Sequence, residues 1–238
     1  MDLDRPYSLG PMLVNVITMF PGFFDGLLGV SIVSRAIHEG ALEVELIDLR
    51  EYGLGRHRKL DDAPFGGGPG MVMMIEPLAE ALEPFAGTHR VVFTPAGAPM
   101  TQNTLDGWSQ MDGITLICGR YEGIDQRVID HFTDEQVSLG DFVLAGGEVA
   151  AAAAIEGIAR LLPGAVGNPE STEKESFRDG FLEEPVYTRP SNFQGWEVPE
   201  VLLSGNHGAI DAWRKKQRLQ RTKKVRPDLL KDAENSDT

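Results

Sequence analysis

Apolar positions follow two rhythms along this chain. Met12–Met19 (MLVNVITM) and Ile114–Cys118 (ITLIC) are almost wholly apolar. Short runs of that kind predict strands buried on both faces of a parallel sheet. Leu42–Leu49 (LEVELIDL) alternates apolar and polar and predicts a strand with one buried face. Arg90–Thr94 and Glu135–Leu139 complete the predicted strands. Between them, helical spacing marks Val30–His38, ended by Gly40, and Pro77–Phe85, with proline in its first turn. Three more helices are predicted: Thr101–Met111, capped by Thr101, Ile124–Phe132, and the alanine-rich Gly147–Leu162. Strand and helix in alternation predict an α/β fold with a mainly parallel sheet. Arg50–Gly70 has no period and reads as a long loop, the kind that is functional or mobile.

The texture changes after Leu162. Pro163–Gly180 is polar and rich in Gly, Pro, Ser and Glu, and reads as a linker. Pro199–Asp232 is mostly helical in pattern. The expected organisation is therefore an α/β domain over 12–164, a flexible linker over 165–180 and a small, mostly helical domain over 181–238.

Composition narrows the classes. Of 238 residues, 42% are hydrophobic, enough for a sizeable core. No apolar run approaches the roughly 18 residues a membrane span needs. Met1–Asp4 is acidic where a secretory signal would be basic, and Cys118 has no second cysteine to pair with. A cytoplasmic protein is expected. The net charge of −14 argues against nucleic acid as a partner, but the distribution reverses that. Eight of the 22 basic residues lie between Arg214 and Arg226, with no acid among them. An acidic body with one basic arm binds RNA through the arm.

Candidate chemistry lies in the loops after the strands, where open α/β sheets bind ligands. Three are rich in glycine: Thr94–Gly97, Cys118–Gly123 and Leu139–Gly147. Glycine lets the backbone approach a ligand closely. Neither a P-loop nor a dinucleotide fingerprint is present. The five histidines are scattered and give no metal cluster. His57, in the long loop, suits an exposed or RNA-contacting role.

Gly119–Arg127 (GRYEGIDQR) and Ser138–Glu148 (SLGDFVLAGGE) resemble the bacterial tRNA guanine(37)-N1 methyltransferase family, of the knotted SPOUT class. The resemblance extends to Asp61–Met71 (DDAPFGGGPGM), Tyr187–Pro190, Val198–His207 and Trp213–Thr222, and so runs from about Met12 to Leu230. It implies a deep trefoil knot in the α/β domain, which topology rules would never suggest.

The resemblance also implies roles. S-adenosylmethionine would be held by Pro95 and Gly97, by Gly119, Tyr121 and Glu122, and by Ser138, Leu139, Gly140, Asp141, Phe142, Val143, Leu144, Gly146 and Gly147. Glu122 or Asp141 would favour its positive sulfonium. Arg160 corresponds to the family's catalytic arginine. The family's catalytic aspartate falls at Glu175, a departure that leaves Glu173 and Asp179 as alternatives. Arg214, Lys215, Arg218 and Arg221 would contact tRNA phosphates. A homodimer with active sites at the subunit interface is implied, its contact near Ala150–Ala154. A magnesium requirement is implied too, with no site assignable from the residues. Two other readings stay open: a knotted enzyme with another RNA target base, and a non-catalytic RNA-binding module.

Overall fold

The computed structural model describes residues 10–166 and 175–230. These fall into two compact units that divide between residues 167 and 168.

The first unit is built on five strands: β1 (Met12–Thr18), β2 (Leu42–Asp48), β5 (His89–Pro99), β6 (Gly113–Cys118) and β7 (Glu135–Ser138). Their order is β2-β1-β6-β5-β7, and every neighbouring pair is parallel. The sheet is thus wholly parallel. β1 and β6 sit in its interior, which is why their sequences carry almost no polar side chains.

Side-chain alternation divides the core into two. Val14, Val16, Ile114, Leu116 and Cys118 face one side with Phe24, Val33, Trp108, Ala151, Ala154 and Ile155. That side is covered by α1 (Asp25–Leu28), α2 (Ser31–His38), α4 (Gln102–Ser109) and α6 (Glu148–Ala159). Ile17, Val92 and Ile117 face the other side with Leu78, Leu82 and Val128. There α3 (Ile75–Leu82) and α5 (Gln126–Phe132) close the core. A fully buried Leu or Ile contributes roughly 1.5–3 kcal/mol, so these two layers are the main stabilising element of the unit. The alanine run of α6 packs inward: Ala150, Ala151 and Ala154 are buried. Its small side chains bring α6 close to its own sheet.

Local chemistry sets the helix starts. Thr101 Oγ1 accepts from Thr104 N–H, and Thr104 reciprocates at the Thr101 backbone, giving a full capping box. Asp125 caps α5 by accepting from Arg127 N–H. Three readings need correction. Arg50–Gly70 is not all loop: Leu49–Tyr52 forms a 3-10 turn, and β3 (Asp61–Asp62) pairs with β4 (Val72–Met73). These pieces are too short to leave a period. β5 runs five residues past Thr94 because the chain bulges out and rejoins: Phe93 and Ala98 both pair with Val137. The short helix α1 goes unpredicted because four residues carry no helical period.

The second unit holds α7 (Glu200–Leu203), α8 (His207–Val225) and a two-residue hairpin, β8 (Asn192–Phe193) with β9 (Trp196–Glu197). "Mostly helical" therefore omits the hairpin. Its signal was Gln194-Gly195, both at positive φ, as a primed two-residue turn requires. Asn206 caps α8 by accepting from Ala209 N–H. Thr222 is buried and ties the preceding segment to the helix, its Oγ1 accepting from Leu182 N–H at 2.9 Å.

Candidate active site

The carboxyl ends of β5, β6 and β7 open into a cavity of about 220 Å³ in the first unit. The three glycine-rich loops wall it. Eleven of the fourteen positions expected there line it, among them Pro95, Gly119, Tyr121, Glu122, Ser138 and Leu144. The other three, Gly97, Gly140 and Asp141, do not line it.

Each loop is held by a specific contact. Gly97 ends the β5 bulge against β7. A Cβ there would lie 2.6 Å from the carbonyl carbons of Gln136 and Val137. Only glycine lets the Pro95 turn sit this close to the neighbouring strand. In the third loop, Ser138 Oγ donates to Gly140 O and accepts from Gly140 N–H. Phe142 N–H donates to the same carbonyl at 2.8 Å. The Phe142 ring packs on Gly140. Gly140 thus shapes the loop, and its neighbours do the lining. Asp141 is exposed and projects from the turn. Of the two acids expected near the sulfonium, Glu122 is the one at the cavity.

The second loop is braced by the long glycine-rich segment. Glu122 N–H donates to Met71 O, and Met73 N–H donates to Gly123 O. Tyr121 takes the left-handed conformation, φ 61°, a strained position for a side chain of its size. Burial raises its phenol pKa, and neighbouring Asp61 raises it further. Phenolate formation is therefore disfavoured, and Tyr121 stays a neutral hydrogen-bonding group.

Two residues, one lining the cavity and one buried behind it, are not singled out by the sequence. One is Arg120, inside the GRYEGIDQR motif, which lines the cavity beside its neighbours. The other is Glu148, 1% exposed at the first turn of α6. Arg120 Nη2 lies 2.9 Å from Glu148 Oε2. The burial of Glu148 and its pairing across 28 residues leave no local signal in the sequence.

The remaining expected residues are dispersed. Arg160 caps the C-terminal end of α6. Glu175 belongs to the second unit, where Arg178 N–H donates to its carbonyl. Asp179 is engaged by Arg218 Nη2 at 2.5 Å, and Glu173 lies outside the described residues. On α8, Arg214 pairs with Glu184 at 3.3 Å and Arg221 donates to Glu183 O. Lys215 is exposed and makes no ion pair among the described residues. No cluster of three or more His, Cys, Asp or Glu side chains suited to a metal occurs among the described residues. No helix among them is long and apolar enough to cross a membrane.

A three-layer α/β unit with a glycine-walled cavity at its strand ends has the architecture in which open parallel sheets bind ligands. Residues 12–232 match the family described as tRNA (Guanine-1)-methyltransferase TrmD. The chain is 47% identical over 229 residues to a tRNA (guanine-N(1)-)-methyltransferase of Geobacter sulfurreducens, covering 94% of each. It is 46% identical over 229 residues to the enzyme of that name from Ruegeria pomeroyi, again with 94% of each covered. The Thermosynechococcus vestitus enzyme of the same name is 46% identical over 222 residues, or 92% of this chain and 94% of the relative. The chain belongs to this family of methyltransferases and is an enzyme.

Proposed function

We propose that this enzyme transfers a methyl group from S-adenosylmethionine to N1 of the guanosine at position 37 of tRNA, 3′ of the anticodon. The observation that carries the reading is the cavity walled by Pro95, Gly119–Glu122 and Ser138–Gly147. Its walls suit that donor. The loop backbones at Gly119, Leu139 and Gly146 offer N–H and C=O groups to a purine edge and ribose hydroxyls. Phe142, Val143 and Leu144 offer apolar surface, and Glu122 offers negative charge for a sulfonium. When bound, the donor supplies an electrophilic methyl group.

The acceptor must lose its N1 proton. Glu175 takes it as general base. Arg160 stabilises the negative charge that develops at guanine O6. Gly147 and Arg160 are thirteen residues apart along α6, about 20 Å of helix rise. An Arg160 side chain cannot span that distance to its own pocket. The arginine that serves each pocket therefore comes from a second copy, which supports a homodimer with active sites at the subunit interface. The exposed Val143 and Val149, at the pocket end of α6, fit such a contact.

The chain leaves β7 at one sheet edge and returns past β5 to the end of β6, where Arg120 bridges Gly146. That return supports the trefoil knot. The exposed cations of α8, with Lys215 foremost, hold tRNA phosphates. The reading includes a magnesium requirement, to which no residue is assigned. The buried thiol of Cys118 suits a reducing cytoplasm.

The test uses labelled S-adenosylmethionine and tRNA transcripts. Labelling is expected with guanosine at position 37 and lost with adenosine there; equal labelling of both defeats the reading. Glu175→Gln is expected to abolish turnover with donor affinity nearly unchanged. Near-normal turnover would move the base to Glu173 or Asp179.

A further inference from the structure

We infer that Arg120 and Glu148 form a positioning pair that sets the wall of the donor pocket, an inference that rests on reading this cavity as the donor site. Glu148 is the most deeply buried acid among the described residues. It takes no part in the proton removal by Glu175 or the charge stabilisation by Arg160. Its carboxylate holds two strand ends directly and, through Arg120, the turn after a third. Thr18, at the end of β1, donates to Oε1 at 2.9 Å. Arg120, after β6, donates from Nε to the same oxygen at 3.2 Å and brings Nη2 to within 2.9 Å of Oε2. The glycine turn after β7 is the third element: Arg120 Nη1 donates to Ala145 O at 3.4 Å. Phe20 N–H closes the network on Thr18 Oγ1, and the Phe20 ring lies 4.5 Å from the Arg120 guanidinium.

The pair shapes the pocket as well as joining it. Gly146 lies against both partners: a Cβ there would fall 2.5 Å from Glu148 Oε2 and into Arg120 Nε. Ala145, Gly146 and Gly147 all line the cavity. Their backbone is therefore pressed onto an ion pair whose geometry fixes where they stand. Glu148 Oε2 has no aligned hydrogen-bond donor. Its stabilisation rests on the guanidinium charge and on the N-terminal end of α6. Removing the arginine leaves a buried charge without its counter-ion, and the turn it holds is free to shift.

Glu148→Gln keeps the side-chain volume and removes the charge. Arg120→Lys keeps the charge and removes the planar fork. Asp134→Asn breaks a more exposed arginine–carboxylate pair, Arg90–Asp134, at the opposite ends of the strands. Donor affinity by calorimetry, single-turnover methyl transfer at saturating donor, and thermal midpoint are measured for each. Glu148→Gln is expected to slow single turnover by about a hundredfold, the scale of an ångström-level misplacement, and to weaken donor binding. Arg120→Lys is expected to recover part of the loss seen in Arg120→Met. Asp134→Asn is expected to lower only the thermal midpoint. If Glu148→Gln and Arg120→Lys lose thermal stability but keep donor affinity and single-turnover rate, the pair only holds the fold and the inference is overturned. Wild-type protein that binds no donor overturns the pocket reading itself, and this inference with it.

Discussion

Gly97 offers a direct test of how the cavity is built. It lines no part of it, yet it decides where Pro95 stands. In Gly97→Ala, the new methyl would meet the Gln136 and Val137 carbonyl carbons at 2.6 Å, where ordinary contact begins at 3.4 Å. Both obstacles are backbone, so no rotamer change relieves them. The bulge must move by about 1 Å, a displacement that costs on the order of a hundredfold when it misplaces a binding wall. Overpacking of this kind also costs about 1–3 kcal/mol of stability. Gly107 is the matched control. It lies exposed in α4 with nothing within 4 Å of its Cβ position. Gly107→Ala should stabilise by up to about 1 kcal/mol through helix propensity alone. Calorimetric titration of each variant with S-adenosylmethionine, paired with thermal unfolding, separates the two. Wild-type donor affinity in Gly97→Ala would refute the claim that the bulge position sets the pocket.

Two further predictions concern charge. Asp134 accepts three hydrogen bonds from Arg90, and this holds its carboxyl below the usual range. A lowered folded-state pKa stabilises above the unfolded value and is lost as pH falls through it, so the contribution should fade below about pH 4. Thermal midpoints at pH 7 and pH 3 should differ less in Asp134→Asn than in wild type; equal slopes would contradict the linkage. On α8, Lys215→Ala should weaken tRNA binding and lower the salt slope by about one with no change in thermal midpoint. Arg218→Ala should instead destabilise the second unit, because Arg218 holds Asp179 and Leu182 O. Filter binding at several salt concentrations and thermal unfolding distinguish a phosphate contact from an internal clamp.

Much of the architecture was legible in the residues. β1 and β6 announced themselves because strands covered on both faces have almost no polar side chains. α4 was readable through Thr101, since capping is a contact within four residues. The three glycine loops were readable as a site because strand ends and glycine coincide there. Arg120 was passed over although it lies inside the motif. Its importance comes from Glu148, 28 residues away in the chain, and pairing at that separation leaves no local trace. The arginines of α8 mislead in the opposite sense. A run of cations suggests phosphate binding, yet Arg214, Arg218 and Arg221 also grip the segment from Asp179 to Glu184.

By itself the sequence determined the α/β alternation, the buried strands, the glycine loops and, through its ordered motifs, the family. These depend on residues near one another in the chain or on strings long enough to match. Only the tertiary structure decided that the sheet is wholly parallel, that β5 bulges over Val137, and that Gly97 and Gly140 support the cavity without lining it. It also decided that one buried carboxylate, Glu148, joins the ends of β1 and β6 and, through Arg120, the turn after β7. Those are consequences of packing, in which position is set by what an atom meets across the fold and not by its neighbours along the chain.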